Sequence, residues 1–541
     1  MIDISAFKGE IPKLSDKLLP DNYASSAINC NMETGALEPI KGVTSVQDVN
    51  ASAISIYKMN ADFLQWTSII NVVKALIADS GNRILYTGDS YPKETNATLA
   101  IDSTPYPDNT RRLGIPAPDN ALNISLEGEA GDDILRTVSY VYTIVGKWTD
   151  GSAVESAPSP ATAVFDHYED ITPKLTNFIN ATADGVFTNY FRIYRINTGN
   201  TGAAYQYVDE IATNASPLEY NDSKTDADLG EVLPTTDWTA PETSLFGLIA
   251  TSHGLVFGFK GNTIYPSEIF ITYAFPTDYS LVVESDIVGG GYTGSLVVIL
   301  TETVPYLLIG QAPGTLSLKR LGYAQPCVAA RSIVNIPGGI IYASPDGLFM
   351  INEAGAGTLI TSEIFTRAQW SALTPANIIG FYYNEYYIGF FSGSTDGFSY
   401  SLNTKEYKSY TMPENIYGGI YSAEADELYL IQTKDATREI VSWETGSNQS
   451  YTWRSKEFLY TYRTIFTAGI IQGDFFNGNA TFKLYVDGSL VITKTISDDS
   501  VFRLAPYPGT TFQIQLSGVP VIDRVIIGKS VDDVVKVQNN G

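Results

Sequence analysis

Apolar and polar positions alternate in short runs along most of the chain. In the first such group, "ISIYKM", "FLQWTSII", "VVKALIAD" and "RILYTGD" follow one another between residues 54 and 89. Turn residues separate them, and "DSGN" at 79–82 reads as a hairpin turn. Four strands in about 45 residues suit one blade of a β-propeller. The texture returns after Trp238, in "GLVFGFKGNTIYPSE", "SLVVILTETVPYLLIG", "GGIIYASPDGLFMINEAG", "EYYIGFFSGSTDGFSYSLNTKEYKSYTM" and "ELYLIQTKDATREIVSW". At Ser344–Leu348 and Ser394–Phe398 an Asp-Gly pair supplies the backbone freedom of a tight hairpin. Residues 1–118 and 238–448 together predict a propeller of about seven blades, the first part carrying an N-terminal arm.

Two other textures interrupt or follow this series. A proline-rich stretch, 91–118, reads as a linker. Beyond it, residues 119–237 predict an inserted β-sandwich of fibronectin type III character: Val138, Tyr140, Tyr142 and Ile144 share one face, Asp150-Gly151 makes a turn, and "FRIYRINTGNTGAAYQYVDEI" makes a second hairpin. Residues 449–541 alternate regularly and predict a small C-terminal β-sandwich. The expected class is therefore all-β. Helices are expected at two places only. Asp21 reads as an N-cap for a short helix with Tyr23, Ala27 and Cys30 on one face and Gly35 as its stop, and Ser362 reads as the N-cap of "SEIFTRAQWSAL".

Composition agrees with a strand-rich folded chain: 35 Tyr, 24 Phe and 45 Gly beside five Met in 541 residues. Thirty-four basic against 59 acidic residues give a net charge of −25. That disfavours a protein that grips nucleic acid or an anionic membrane, because phosphate binding needs clustered Lys and Arg. It leaves open a protein that surrounds nucleic acid without holding it. The start "MIDISAFKGEIPK" lacks the basic and apolar regions of a secretory signal, and no apolar run approaches the roughly 18 residues of a membrane span. Synthesis in a cytoplasm is expected, with N-x-S/T triplets such as those at Asn96 and Asn479 carrying no glycan.

Candidate chemistry is sparse. Cys30 and Cys327 are the two cysteines and suggest neither a disulfide framework nor a CxxC metal pair. His167 and His253, the two histidines, are expected on the surface or in loops. "GGGYTG" at 289–294 matches G-x-G-x-x-G, but a strand run follows it where a dinucleotide site requires a helix, so a hairpin or flexible loop is expected. "DADLGE" at 226–231 lacks the later ligands of a calcium loop. "SPDGLF" at 344–349 misses the spacing of the sialidase Asp-box. The aromatic run "FYYNEYYIGFF" at 381–391 either fills blade interfaces or stacks sugars, with core the favoured use. Propellers host glycosidases with paired carboxylates, yet among 59 acidic residues some pair is inevitable. No catalytic residue, metal ligand or cofactor is assigned, and the chain is not expected to be an enzyme.

Several stretches occur together in a telling order: "LLPDNYASSAINCNMETGALEPIKG" (18–42), "RRLGIPAP" (111–118), "RIYRINTG" (192–199), "DLGEVLPTTDW" (228–238), "ASPDGLFMI" (343–351), "ITSEIFTRAQW" (360–370) and "YTWRSKEF" (451–458). Across nearly the whole chain they resemble the nozzle, or tail tubular protein B, class of virion structural proteins of short-tailed bacteriophages. The resemblance implies a propeller protomer in a six-fold ring at the distal end of the tail, part of the portal–tail complex. Its implied partners are further copies of itself, an adaptor or tail tubular ring above, tail fibres or spikes beside it, and double-stranded genomic DNA that passes and is gated without specific binding. It implies assembly in a host cytoplasm and residence in the virion. The N-terminal arm is expected to pack on the propeller or a neighbouring subunit. A lumen lined by acidic residues would let DNA slide without sticking. Gly289, Gly290, Gly291 and Tyr292, in "IVGGGYTGSL", are the candidate gate loop of that channel. A carbohydrate-binding or depolymerising propeller used in host recognition is the alternative, and a closure protein of a long-tailed virus a third possibility.

Overall fold

The computed structural model describes residues 1–76, 81–128, 135–168, 170–199 and 202–540, so the turn read at 79–82 lies partly outside the described residues. The regular structure is almost entirely strand, and most strands are consecutive antiparallel meanders. Blade 1 is the pair Ser55–Met59 and Asp62–Trp66. Blades 2 to 5 are four-stranded and start at Asn71–Lys74, Phe246–Ala250, Ile287–Tyr292 and Val334–Ile336. Blade 6 starts at Ile378–Tyr383 and ends in the first half of a 16-residue strand, Tyr407–Ser422. The second half of that strand opens blade 7 with Glu427–Lys434 and Thr437–Ser442. The outer strand of blade 7 is Thr44–Val49, from the other end of the sequence.

First strands of successive blades pack on one another, and the second half of Tyr407–Ser422 packs on Ser55–Met59. The Ser55 hydroxyl donates to the Ser68 carbonyl at 2.8 Å and accepts from the Ile70 amide at 3.1 Å, tying blade 1 to the start of blade 2. The blades thus close a ring, as in a propeller. Their side chains alternate between two inter-blade cores. In the fully buried strand Val297–Thr301, Val297 and Ile299 join the core shared with blade 3, whereas Val298 and Leu300 join Ile340, Tyr342 and Phe349 of blade 5.

Between blades 2 and 3 the chain leaves the ring. There a four-stranded sheet centred on Tyr140–Lys147 and Tyr190–Gly199 and a three-stranded sheet centred on Thr172–Thr176 enclose a core of Tyr140, Tyr142, Ile144, Leu175, Phe191 and Ile193. His167 is buried in this unit rather than on the surface, its Nδ1 2.8 Å from the Tyr168 carbonyl oxygen; His253 sits half-buried in a turn.

The N-terminal arm is not helical. Tyr23–Ile28 is a strand, parallel to Lys8–Glu10 and antiparallel to Tyr451–Ser455. A register shift between Ala24 and Ser26 turns both Ala24 and Ala27 inward, where both are fully buried. Such a bulge gives a strand the three-residue spacing of a helix face, which is what misleads the sequence pattern. Partners on both edges then outweigh one isolated helical stripe. The arm also contributes Ile2–Ser5, paired with Val521–Gly528, so its main packing is in the C-terminal unit, where Ile2, Ile4 and Phe7 share a core with Trp453, Phe482 and Ile514, and not against the propeller alone. The second expected helix is shorter than its pattern. It spans Arg367–Ala372 and is capped by Thr366, with Gln369 completing a capping box, while Ser362 lies in the turn before it.

Candidate functional site

The first strands of blades 2 to 5 surround a cavity of about 480 Å³. Gly289, Gly290, Gly291 and Tyr292 lie on its wall. They do not form a loop: Gly289 pairs with Leu300, Gly290 with Ile299, Gly291 with Val298 and Tyr292 with Val297 in an antiparallel ladder. None of the three glycines has a positive φ. What they supply is close approach. A Cβ at Gly290 would meet the Val298 carbonyl oxygen at 2.4 Å, one at Gly291 the Asn335 Oδ1 at 2.2 Å, and one at Gly289 the Ile333 Cδ1 at 2.8 Å. The neighbouring strands could not come so near a side chain. Tyr292 is held as well, its hydroxyl 2.7 Å from Ser252 Oγ and donating to the Gly294 carbonyl at 2.6 Å. Expected mobility is replaced by tight packing.

Arg331, which the sequence did not single out, presents to the same cavity. Its Nη2 donates to the carbonyls of Ile54 at 3.0 Å and Tyr417 at 2.8 Å, joining blades 5, 7 and 1. Burial pulls its pKa down to about 10, so the guanidinium remains charged at neutral pH. Among the described residues, Lys74 and Arg331 are the charged residues of the lining, which includes no carboxylate.

Away from the cavity, the residues with the most unusual surroundings sit at the joints. Trp148 of the inserted unit lies between two guanidinium groups from blade 2, Arg83 and Arg111, each with Cζ 4.0 Å from the ring centre. Arg111 Cζ is also 3.5 Å from the centre of the Phe187 ring. Arg83 Nη2 donates to Asp150 Oδ2 at 2.9 Å and Ser152 Oγ at 2.8 Å. Glu94 is buried beside both arginines, and burial pushes its carboxyl up to about 7 despite them. The exit from the insert is held by Trp238 packed edge-on against Tyr273 at 5.9 Å.

The remaining motifs resolve into structure. Asp226 of "DADLGE" accepts from Arg195 Nη2 at 3.0 Å and Asp228 from the Thr225 hydroxyl at 2.6 Å, so both carboxylates are engaged. Cys30 and Cys327 are buried free thiols whose pKa values burial raises, that of Cys327 to about 12. Phe381, Tyr387, Ile388, Phe390 and Phe391 of the aromatic run are core. Among the described residues no His, Cys, Asp and Glu cluster fits a metal ion, and no helix is long and apolar enough to cross a membrane.

No family model matches the chain, and no curated protein does. Solved structures with local similarity include the exo-β-1,3-galactanase of Phanerochaete chrysosporium with galactose (8% identity, 52% of this chain and 95% of that one, TM-score 0.20). They also include the AfRom2 CNH domain (10% identity, 59% and 93%, TM-score 0.26) and the Myceliophteria thermophila Cps50 (Swd1) β-propeller domain (10% identity, 46% and 96%, TM-score 0.24). At these scores they carry no functional argument. The class is set by the sheets themselves: an all-β chain whose meanders close in a ring of propeller type.

Proposed function

We propose that this chain is a structural subunit of a short-tailed bacteriophage tail, a nozzle-type protein that works by assembly. In this reading six copies form a ring at the distal end of the tail. The ring conducts genomic DNA during ejection and offers attachment to an adaptor or tubular ring and to fibres or spikes. The inserted unit acts as a fibronectin type III-like decoration and the terminal sandwich as the base on which the ring is built. One observation carries the proposal: several of the stretches that bear the family resemblance lie where the units are joined, although "RIYRINTG" is internal to the inserted unit. "NYASSAINC" pairs with "YTWRS" across Ala27 and Trp453. "RRLGIPAP" supplies Arg111 to the Trp148 clasp. "ITSEIFTRAQW" meets both the arm, through Gln369 Nε2 to the Pro12 carbonyl at 2.6 Å, and "ASPDGLFMI", through Trp370 Nε1 to the Ser344 carbonyl at 2.8 Å. Sequence spent on joints is what a load-transmitting scaffold needs. The charge of −25 per subunit suits a conduit that repels phosphates, with acidic residues facing its lumen.

Gold-labelled antibody against this chain, applied to phage particles that carry it, is expected to decorate the distal tail tip. Label confined to peripheral fibres, or particles without the chain, would overturn the proposal.

A further inference from the structure

A second cavity, of about 360 Å³, opens where the N-terminal arm crosses blades 6 and 7. It lies at the tip of the hairpin between Ile378–Tyr383 and Tyr386–Phe391, the part of the aromatic run that does not enter the core. Lys408, near the start of Tyr407–Ser422, lines it. Only 7% of Lys408 is exposed, yet among the described residues its ammonium has no hydrogen bond and no carboxylate within ion-pair distance. Its nearest feature is the face of Tyr386, with Nζ 4.7 Å from the ring centre. Burial lowers its pKa against the opposing pull of Glu444 and Glu33.

Across the cavity stand the carboxylates of Glu33 and Glu444. Glu33 Oε1 accepts from the Tyr386 hydroxyl at 2.6 Å, fixing the ring that covers Lys408. Glu444 is held in the left-handed region at φ 58°, and burial raises its pKa. Asn384 and Glu385, the hairpin turn, have φ 48° and 66°, and Glu385 accepts a hydrogen bond from Asn403. Left-handed backbone at non-glycine residues costs energy and recurs at ligand sites. The Lys408 ammonium opens onto the cavity, so an acceptor for it has to come from that side.

These groups define complementary needs. The ammonium lacks acceptors and, among the described residues, the Glu444 carboxylate lacks a donor, while the half-buried rings of Tyr383 and Tyr386 line the cavity. A ligand anion would meet Glu33, Glu385 and Glu444 against one lysine, and among the described residues no cluster is set to hold a metal ion. A hydroxyl both donates and accepts, and a pyranose adds C–H faces for the aromatic rings. We infer that this cavity is a binding site for a neutral saccharide, with Lys408 and Glu444 hydrogen-bonding ring hydroxyls and Tyr386 stacking on the sugar. The inference is independent of ring assembly, since every group belongs to one chain.

The test uses the full-length protein with D-glucose, D-galactose, N-acetylglucosamine and their β-linked disaccharides. Saturation-transfer NMR and titration calorimetry are run beside glucuronic acid as the charged control. At least one neutral sugar is expected to bind, with Lys408→Met weakening it about tenfold or more and leaving the fold intact because a buried charge is removed. Glu33→Gln, at the exposed rim, is the second variant and is expected to weaken binding several-fold. Absence of binding by every neutral sugar, tighter binding of glucuronate, or binding unchanged in both variants would each overturn the inference.

Discussion

The inserted unit and the C-terminal unit are both appended to the ring, but by opposite means. The C-terminal unit is continuous with it through main-chain hydrogen bonds. One sheet runs from blade 6 through Tyr407–Ser422, Lys8–Glu10 and Tyr23–Ile28 to Tyr451–Ser455, Gly509–Gly518 and Ala480–Val486. Phe7 packs edge-on against Trp453 at 4.9 Å, and Trp453 Nε1 donates to the Lys8 carbonyl at 3.1 Å. The insert is instead held largely by side chains, the Trp148 clasp and the Trp238–Tyr273 contact. A shared sheet cannot be parted without exposing a row of backbone donors and acceptors. A side-chain clasp can be loosened one contact at a time. The first attachment suits a base that bears force, the second an appendage.

The largest effect is expected where the shared sheet is cored. Trp453→Ala removes a fully buried indole and should cost about 3–5 kcal/mol, and calorimetry should show the ring and C-terminal unit still unfolding in one transition. Two separated transitions would mean that the common sheet does not couple them.

A pH effect sharpens the same contrast. Glu10, in the arm, is buried and accepts from the Ala27 amide at 2.7 Å, and burial pushes its carboxyl up to about 7. Its folded pKa lies above its unfolded value, so its contribution is full below the ordinary carboxylate range and is lost as pH rises through about 7. The loss amounts to up to about 3 kcal/mol. Denaturant unfolding at pH 5 and pH 8 should show a smaller decline in Glu10→Gln than in the parent chain; equal declines would remove Glu10 as the cause. Glu94 acts with the same sign at the other joint.

The smallest effect is expected at the clasp. Arg111→Ala should cost about 1–2 kcal/mol and release the insert as a separate, earlier transition, with protease cleavage appearing near residues 119 and 237. A single unchanged transition would mean that the insert is held elsewhere.

Much of this fold was legible because strand alternation is a local signal. The blade texture and the strands of segment 119–237 follow the alternation, and Asp150-Gly151 lies in a turn, but the turns read at the other two Asp-Gly pairs sit elsewhere, at Pro345–Asp346 and at Ser392–Gly393, with Asp396-Gly397 inside the strand Ser394–Ser401. What escaped depended on partners distant in sequence. The arm imitates a helix because its bulge is set by Tyr451–Ser455, more than 400 residues away. The glycines at 289–291 resemble a flexible loop because the atoms they make room for, at Ile333 and Asn335, belong to the next blade. Nothing in the sequence marks Lys408, and only folding brings it, 7% exposed, to the cavity wall. The aromatic run was divided by the structure itself, core along its strands and cavity at its turn.

The central claim is that this chain acts as one subunit of a ring. Negative-stain electron microscopy of the purified protein tests it most directly. The account predicts six-fold rings with an open centre; single particles of one 58.9 kDa chain at every concentration would contradict it.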